Sequence, residues 1–547
     1  MGSERKKVVI VGAGMAGLTA AAYLAREKFD VLLVDKNERI GGLVSTFESN
    51  DFYFDTGPRA FINSGIIRPM LKDLGIQWDF IKNIITIGIE DHLFRMHSME
   101  DLKEYQHLLV HLFPGNEAEI HQIFAVISKL SEYTRILYEF DNPNFIDLKR
   151  NKTFIFKKLL PWTFKFLYAL GKLNQYNLPV EDFLSTLTTN QSLVDVIIQH
   201  FFRRTPAHFA LGYFYVYLDY FYPKGGTGAL SNLLKEKILE WGGDIKLNRN
   251  IVEITPSGSK VVTSDGTEFH YDYLVWAADL KTMYRSLNLV NIDSNISAQI
   301  NIESQRKLTS KGAESVFILY LAVNRQHSYF QQNGGEHLFY TPSRKGLGET
   351  NRGERIRLIE DFDQIPKDEI FEWLKKYLEL NTYEISIPVL RDHTLAPEGK
   401  TGLMVSCLFD YQILEKIEKA GWYEEFKATC ETEIIRILSE SIYKNIDKDI
   451  LFKFSATPLT IQKISGSSEG AITGWSFEAP SPVINTLQDI PKSVLTPIPN
   501  IYQAGQWVYS PAGVPIAMLT GWYASQNIIG LEKKNRRNLP ARSSLAA

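Results

Sequence analysis

A run of β-branched and apolar residues, Val8 to Val11, meets Gly12, Gly14 and Gly17; a stretch of helical period starts near Met15, and a second apolar run closes at Asp35. Continuous apolar runs flanking a helix predict two parallel strands buried on both faces. From Tyr222 to Ile254 the pattern reads as a glycine turn, a helix ending at Gly242-Gly243 and a strand. Further strands are predicted at Val316–Val323 and Gly402–Phe409, with a helix over Tyr423–Ser439. Near the end, a strand stops at Gly505 and Gly513-Val514-Pro515 opens a helix. The chain carries no internal repeat.

The opening glycines have separate physical tasks. Gly12 permits the tight strand-to-helix turn, Gly14 lets the backbone approach a pyrophosphate, and Gly17 lets the helix pack close to the strand. The helix from Met15 and Ala16 points its positive N-terminal end at the phosphates. Asp35 is placed to accept from a ribose hydroxyl. Strand, helix and acid together indicate a nucleotide site, against the plainer reading of a glycine-rich turn without ligand.

Composition narrows the surroundings. At 547 residues the chain is expected to hold two or more interleaved domains. A net charge of −3 gives no global attraction to nucleic acid. Cys407 and Cys430, the only cysteines, make neither a disulfide framework nor a cysteine-ligated metal site, and fit a reducing compartment. No signal-peptide pattern precedes the first strand, and Lys6 stands where a myristoylation motif after Met1-Gly2 wants Ser or Thr. No apolar run is long enough to span a bilayer. The expectation is a cytoplasmic protein, at most peripheral on a membrane.

The residues after Asp35 and Lys36 select the nucleotide. Arg39-Ile40-Gly41-Gly42-Leu43-Val44-Ser45-Thr46 resembles the RxGGRxxS/T doublet of the FAD family that contains amine oxidases, protoporphyrinogen oxidases and carotenoid desaturases, with Leu43 in place of the second Arg. Phe54 to Arg59 resembles that family's F-D-x-G-P segment, which implies that Gly57, Pro58 and Arg59 run beside the flavin ring. The Tyr222–Ile254 segment is similar to the one by which phytoene desaturases and carotene isomerases return to the FAD domain, and implies that the Val252 backbone meets the adenine. The segments YDYLVWAADLKTMYRSL and ESVFILYLAVNRQ continue the likeness. The last segment, IPNIYQAGQWVYSPAGVPIAMLTGWYAS, resembles the FAD-closing motif of the desaturase branch. It implies cofactor contacts from Gly505, Gln506 (where relatives often carry Asp), Gly513, Val514 and Pro515.

The resemblance implies an α/β fold: a Rossmann-type FAD-binding domain interleaved with an α+β substrate domain of mixed sheet plus helices. FAD-binding pieces are expected at 1–90, 221–290 and 490–530, a helical substrate or membrane-facing part at 91–220, and substrate-domain sheet and helices at 291–489. Residues 531–547 are expected to form a flexible basic tail. Between 152 and 176, Phe154, Phe156, Trp162, Phe164, Phe166 and Tyr168 alternate with Lys152, Lys157, Lys158, Lys165 and Lys172. That pattern fits a monotopic membrane patch, or an amphipathic helix on the core with its lysines in water. Tyr213, Phe214, Tyr217 and Phe221 are candidates for an apolar cavity wall or for core packing. His107 and His111 share a helix face but lack an evident third ligand, so no metal is expected. The GSS at 466–468 lacks a nucleophile-elbow setting.

The implied activity is an FAD-dependent oxidoreductase acting on a long apolar polyene or isoprenoid by hydride transfer at flavin N5, as desaturase, isomerase or saturase. Catalytic residues are not assigned. Arg59, beside the implied flavin, and after it Lys224, before the glycine turn, are the candidates. A protoporphyrinogen oxidase is the enzyme alternative, because Gly57-Pro58-Arg59 matches its G-P-R segment, and a flavin amine oxidase stands behind it. From another class, GDP dissociation inhibitors and Rab escort proteins share the fold and hold prenyl lipid without FAD. Oligomeric state is left open.

Overall fold

The computed structural model describes residues 5–145, 153 and 155–538. Lys152, Phe154 and the last nine residues of the expected tail lie outside the described residues.

The opening pattern folds as the strand Lys7–Val11, the helix Met15–Arg26 and the strand Asp30–Val34. Lys7–Val11 pairs in parallel with Asp30–Val34 on one side and Tyr273–Trp276 on the other. The five-stranded sheet is completed by Asp244–Lys246 at one edge and Ile501–Gln503 at the other. Covered on both faces, Val8 to Val11 are buried, each fully buried side chain stabilising the fold by about 1.5–3 kcal/mol. The helix Met15–Arg26 packs between Ala229–Glu240 and the long C-terminal helix Val514–Asn538. Its small residues are needed for that approach: a Cβ on Gly521 of the C-terminal helix would stand 2.2 Å from the Ala16 carbonyl oxygen.

A second sheet of seven strands runs in the order Ile450–Ala456, Ser315–Val323, Thr401–Phe409, Tyr383–Ser386, His337–Thr341, Ile85–Ile89, His92–Met96. Neighbours are antiparallel except His337–Thr341 and Ile85–Ile89. One face buries the helices Lys367–Leu380 and Tyr423–Glu440 in the largest core. The helices Leu102–Leu112, Glu117–Leu137, Gln191–Ile198 and Ala207–Val216 form another core with the strands Ile85–Ile89 and His92–Met96.

Two boundaries differ from the expected ones. Ile85–Ile89 already belongs to the seven-stranded sheet, ahead of the expected division at 90, because it hydrogen-bonds to His337–Thr341. The C-terminal helix continues beyond residue 530 to Asn538, where Glu532 is buried and accepts from Tyr273 Oη at 2.6 Å. No helix among the described residues is long and apolar enough to cross a membrane.

The segment 155–173 forms one turn of π-helix, Ile155–Leu159, and the helix Leu160–Leu173. Trp162, Ala169 and Leu173 are buried, while Phe156 and Phe164, each 68 % exposed, stand on the outer face with Leu160, Leu167 and Tyr168. Lys157, Lys158 and Lys165 are exposed among them.

Candidate functional site

The glycine turn has the geometry a ligand loop needs. Gly12 takes a φ of +103°, and a Cβ there would lie 2.8 Å from the Ala277 oxygen. At Gly17 a Cβ would lie only 1.8 Å from the Gly12 oxygen, so this glycine sets the helix-to-strand distance. Gly14 differs: among the described residues no atom beyond its own chain neighbours lies within 4 Å of the position a Cβ would take, which leaves an open cradle at the helix N-terminus. Gly42 borders that cradle, with Gly14 Cα 3.4 Å from its own Cβ position. Gly41 donates its amide to the Ala13 oxygen at 2.7 Å and so binds the doublet to the first turn.

Asp35 is buried and holds the turn from the next strand. Its Oδ2 accepts from the Ala13 amide at 2.7 Å and its Oδ1 from the Asn37 amide at 2.8 Å. Burial raises its pKa, and the amides of Asn37 and Ala13 oppose that rise. The segment leading to Val252 passes beside it, as Arg249 donates its amide to the Asp35 oxygen at 2.8 Å. Val252 is the extra residue where the register slips between Ile251 and Glu253, and it has no cross-strand partner. Arg39 is exposed next to Glu38. Lys36 instead donates to the Lys463 oxygen at 3.0 Å, at the C-terminal end of the helix Pro458–Ser465.

Leu43 and the Gly57 segment are in close backbone contact, a Cβ on Gly57 falling 2.2 Å from the Leu43 oxygen. Pro58 is half-buried and leads into Arg59, which is buried. One guanidinium nitrogen of Arg59 donates to the Asp55 oxygen at 3.0 Å, whereas Nε has no partner among the described residues. Gly505 receives the Thr520 hydroxyl oxygen on its amide at 3.0 Å, and Gln506 Nε2 lies 3.4 Å from both Ser467 Oγ and the Ala471 oxygen. Gly513 precedes the helix that starts at Val514-Pro515, and a Cβ there would meet only Pro515 Cδ, at 3.9 Å. These positions fit a dinucleotide with a flavin: an open glycine cradle, helix N-termini at Met15 and Val514, and an unpartnered buried guanidinium N–H.

Several groups in this region carry no motif signal. Asp55 is fully buried without a direct cation among the described residues, and accepts instead from the Thr227 amide and hydroxyl, each at 2.9 Å, and from the hydroxyls of Thr46 and Tyr222, each at 2.7 Å. Arg391 stacks its guanidinium 3.8 Å from the Tyr222 ring centroid and donates to the Arg59 and Asn83 oxygens, each at 2.8 Å. Burial lowers its pKa. Only the F-D-x-G-P likeness pointed toward Asp55. Arg391 had no signal, because it arrives from a distant segment.

Lys224 is not brought to this cluster: its side chain is exposed and its amide donates to the Asp79 oxygen at 3.2 Å. Of the four aromatic wall candidates, Phe214, Tyr217 and Phe221 are buried in cores and only Tyr213 is partly accessible. His111 faces His92, with ring centroids 5.5 Å apart, and among the described residues no three ligand-type side chains cluster as a metal site would require.

A family model described as flavin containing amine oxidoreductase matches residues 15–355. Among curated relatives, 4,4'-diaponeurosporene oxygenase of Staphylococcus haemolyticus is 23% identical, covering 97% of this chain and 98% of its own. The 4,4'-diapophytoene desaturase (4,4'-diaponeurosporene-forming) of the same organism is 22% identical, covering 93% and 96%. An oxidoreductase structure from Methanosarcina mazei has the same fold, with a TM-score of 0.59, 12% identity, and 96% and 100% of the two chains covered. The family match excludes the FAD-free lipid-carrier alternative and carries the cofactor with it. This chain belongs to the flavin containing amine oxidoreductase family and is an FAD-dependent oxidoreductase.

Proposed function

We propose that the enzyme acts on a long, largely apolar isoprenoid of carotenoid type, desaturating, isomerising or saturating it. The observation that carries this reading is the reach of the likeness: relatives named for carotenoid chemistry align over nearly the whole chain, substrate half included. When bound, FAD supplies hydride transfer at N5.

The protein's part is binding, alignment and exclusion of water. The five-stranded sheet is assembled from three separated pieces of chain, and in this reading it is the core of the FAD-binding unit. In this reading Gly12, Gly14, Met15, Ala16 and Gly17 hold the pyrophosphate, with Gly41, Gly42 and Leu43 closing the turn from the other side. Asp35 takes the ribose, Lys36 and Arg39 supply positive charge nearby, and the free backbone of Val252 meets the adenine. Gly505, Gln506 and the helix opened by Gly513-Val514-Pro515 face the ribitol and ring. Gly57 and Pro58 bring Arg59 to the ring, where its unpartnered Nε–H is suited to negative charge at N1 and O2. The exposed Phe156, Leu160, Phe164, Leu167 and Tyr168 face, with its lysines, is a peripheral membrane contact from which an apolar substrate enters.

The test is anaerobic mixing of the purified flavoprotein with polyene hydrocarbons in micelles, followed by the flavin absorbance and by chromatography of the extracted polyene. Flavin bleaching with a changed polyene spectrum supports the reading. An inert polyene in both the oxidised and the reduced enzyme, together with bleaching by a porphyrinogen, transfers the chain to porphyrin chemistry.

A further inference from the structure

Glu384 occupies an unusual place. Its strand, Tyr383–Ser386, is the fourth of seven, and every other residue from Asn381 to Val389 is buried. The Glu384 side chain is nevertheless 35 % accessible. It pairs across the sheet with Phe339 and Ser406, so it shares their face. That face is roofed by other chain segments. Phe339 packs on His200 and Tyr217 at 4.9 and 5.7 Å between centroids, and His337 stacks on Tyr220 at 5.8 Å. A partly accessible carboxylate beneath such a roof lines an interior hollow. Leu408 and Val316, opposite each other on the same sheet face, are also partly accessible. Partly accessible Tyr213, Tyr220 and His200 stand on the roof side, and the Glu384 charge acts on all three.

The hydrogen bonds settle which way the carboxylate is held. Arg391 donates to Asn83 Oδ1, which leaves the Asn83 amide nitrogen to donate to His337 Nδ1 at 3.1 Å. The His337 proton therefore sits on Nε2 and is donated to Glu384 Oε1 at 2.9 Å. Among the described residues none donates to Oε2. Burial is the largest influence on the Glu384 pKa and would raise it; the His337 hydrogen bond and the Arg59 charge oppose burial, and the pKa is held below the ordinary value. An ionised oxygen thus faces the hollow. A pure hydrocarbon filling this space would strip water from that oxygen and return no hydrogen bond, a heavy penalty for a charged group.

We infer that the Glu384 Oε2 is a recognition point for a hydrogen-bond donor, a hydroxyl or an ammonium, carried by an otherwise apolar substrate. The inference deepens the proposed function and rests on it only for the apolar remainder of the ligand. The aromatic walls formed by Tyr213, Tyr220 and Phe339 accept either donor, since a cation gains from the ring faces and a hydroxyl from the Tyr213 and Tyr220 oxygens, 2.8 Å apart.

The test compares binding of three probes to the full-length flavoprotein by intrinsic fluorescence: geranylgeraniol, geranylgeranylamine, and the corresponding hydrocarbon without the polar end. Differences in micelle partition cancel when wild type is compared with Glu384→Leu and Glu384→Gln. FAD content and melting temperature identify any variant that fails to fold. The expected result is that Glu384→Leu lowers the preference for alcohol over hydrocarbon by about ten- to hundredfold and binds the hydrocarbon more tightly than wild type does. If only Glu384→Gln folds, about a fivefold loss of preference is expected from the lost charge. An amine preference that falls in the variants more than the alcohol preference identifies an ammonium, and the reverse identifies a hydroxyl. An unchanged preference in a folded variant overturns the inference and leaves the proposed function standing. Wild-type protein that binds none of the probes overturns the proposed function, and this inference with it.

Discussion

The Ala13 amide donates to Asp35 Oδ2 at 2.7 Å, so the carboxylate that follows the second strand holds the glycine turn that follows the first. Its other oxygen is engaged by Asn37 at 2.8 Å. The turn is therefore shaped before a nucleotide arrives, which lowers the ordering cost of binding. Asp35→Asn keeps one acceptor and sets an amide NH₂ against a backbone N–H. The apoprotein is expected to lose about 1.5–3 kcal/mol in urea unfolding, as for other hydrogen bonds to charged groups. FAD affinity should fall in the same variant; unaltered apoprotein stability would show that the turn is held by its glycines alone.

Gly14 and Gly17 separate ligand contact from packing within one motif. Gly14 has an ordinary φ of −76° and open space at its Cβ position. Gly14→Val should therefore leave apoprotein stability within about 1 kcal/mol of wild type while abolishing FAD binding. Gly17→Ala places a methyl 1.8 Å from the Gly12 oxygen and should cost about 3 kcal/mol or more. Stoichiometric FAD in Gly14→Val, measured after denaturing release, would place the pyrophosphate elsewhere.

What the sequence made legible follows from the range of the interactions. The glycine turns, the helix at Met15 and the long strands are local features, written in spacing and period. Glu384 is the counter-case. Tyr-Glu-Ile-Ser alternates as a strand with one wet face would, yet the strand is central and its polar face covers a hollow. Nothing local distinguishes the two situations. Arg391, Asn83 and His337 meet only through tertiary folding, from segments up to 308 residues apart. The boundary near 90 has no local signal for the same reason, because the partner of Ile85–Ile89 lies at 337–341.

The aromatic face of 156–168 is exposed, so its replacement tests membrane contact without disturbing the core. In Phe156→Glu/Phe164→Glu the melting temperature should hold, since both rings already stand in water. Co-sedimentation with vesicles of anionic phospholipid should fall several-fold, through loss of buried apolar area and repulsion by the new carboxylates. Wild-type binding should also weaken with salt, because Lys157, Lys158 and Lys165 are exposed in the same face. Equal recovery of both proteins with the vesicles would remove the membrane from the substrate's route.

His200 gives the fold an acid-sensitive point. Burial lowers its pKa from 6.5 to about 4, with the Glu384 charge opposing the shift. Its Nε2 lies 2.6 Å from the Tyr217 hydroxyl, which suits a neutral ring accepting from a phenol. In the unfolded chain His200 takes up a proton near its ordinary pKa, whereas the folded chain resists until about pH 4. The stabilisation is therefore present above pH 6.5 and is lost as pH falls through that window toward 4. The shift corresponds to about 3 kcal/mol at most. His200→Gln keeps an acceptor for Tyr217 but does not titrate. Urea unfolding at pH 7 and pH 4.5 should show a smaller loss on acidification for the variant than for wild type, even if the variant starts less stable. Equal losses would mean that His200 is protonated in the folded protein as readily as in the unfolded chain, and that the hollow beside it is wet enough to solvate the charge.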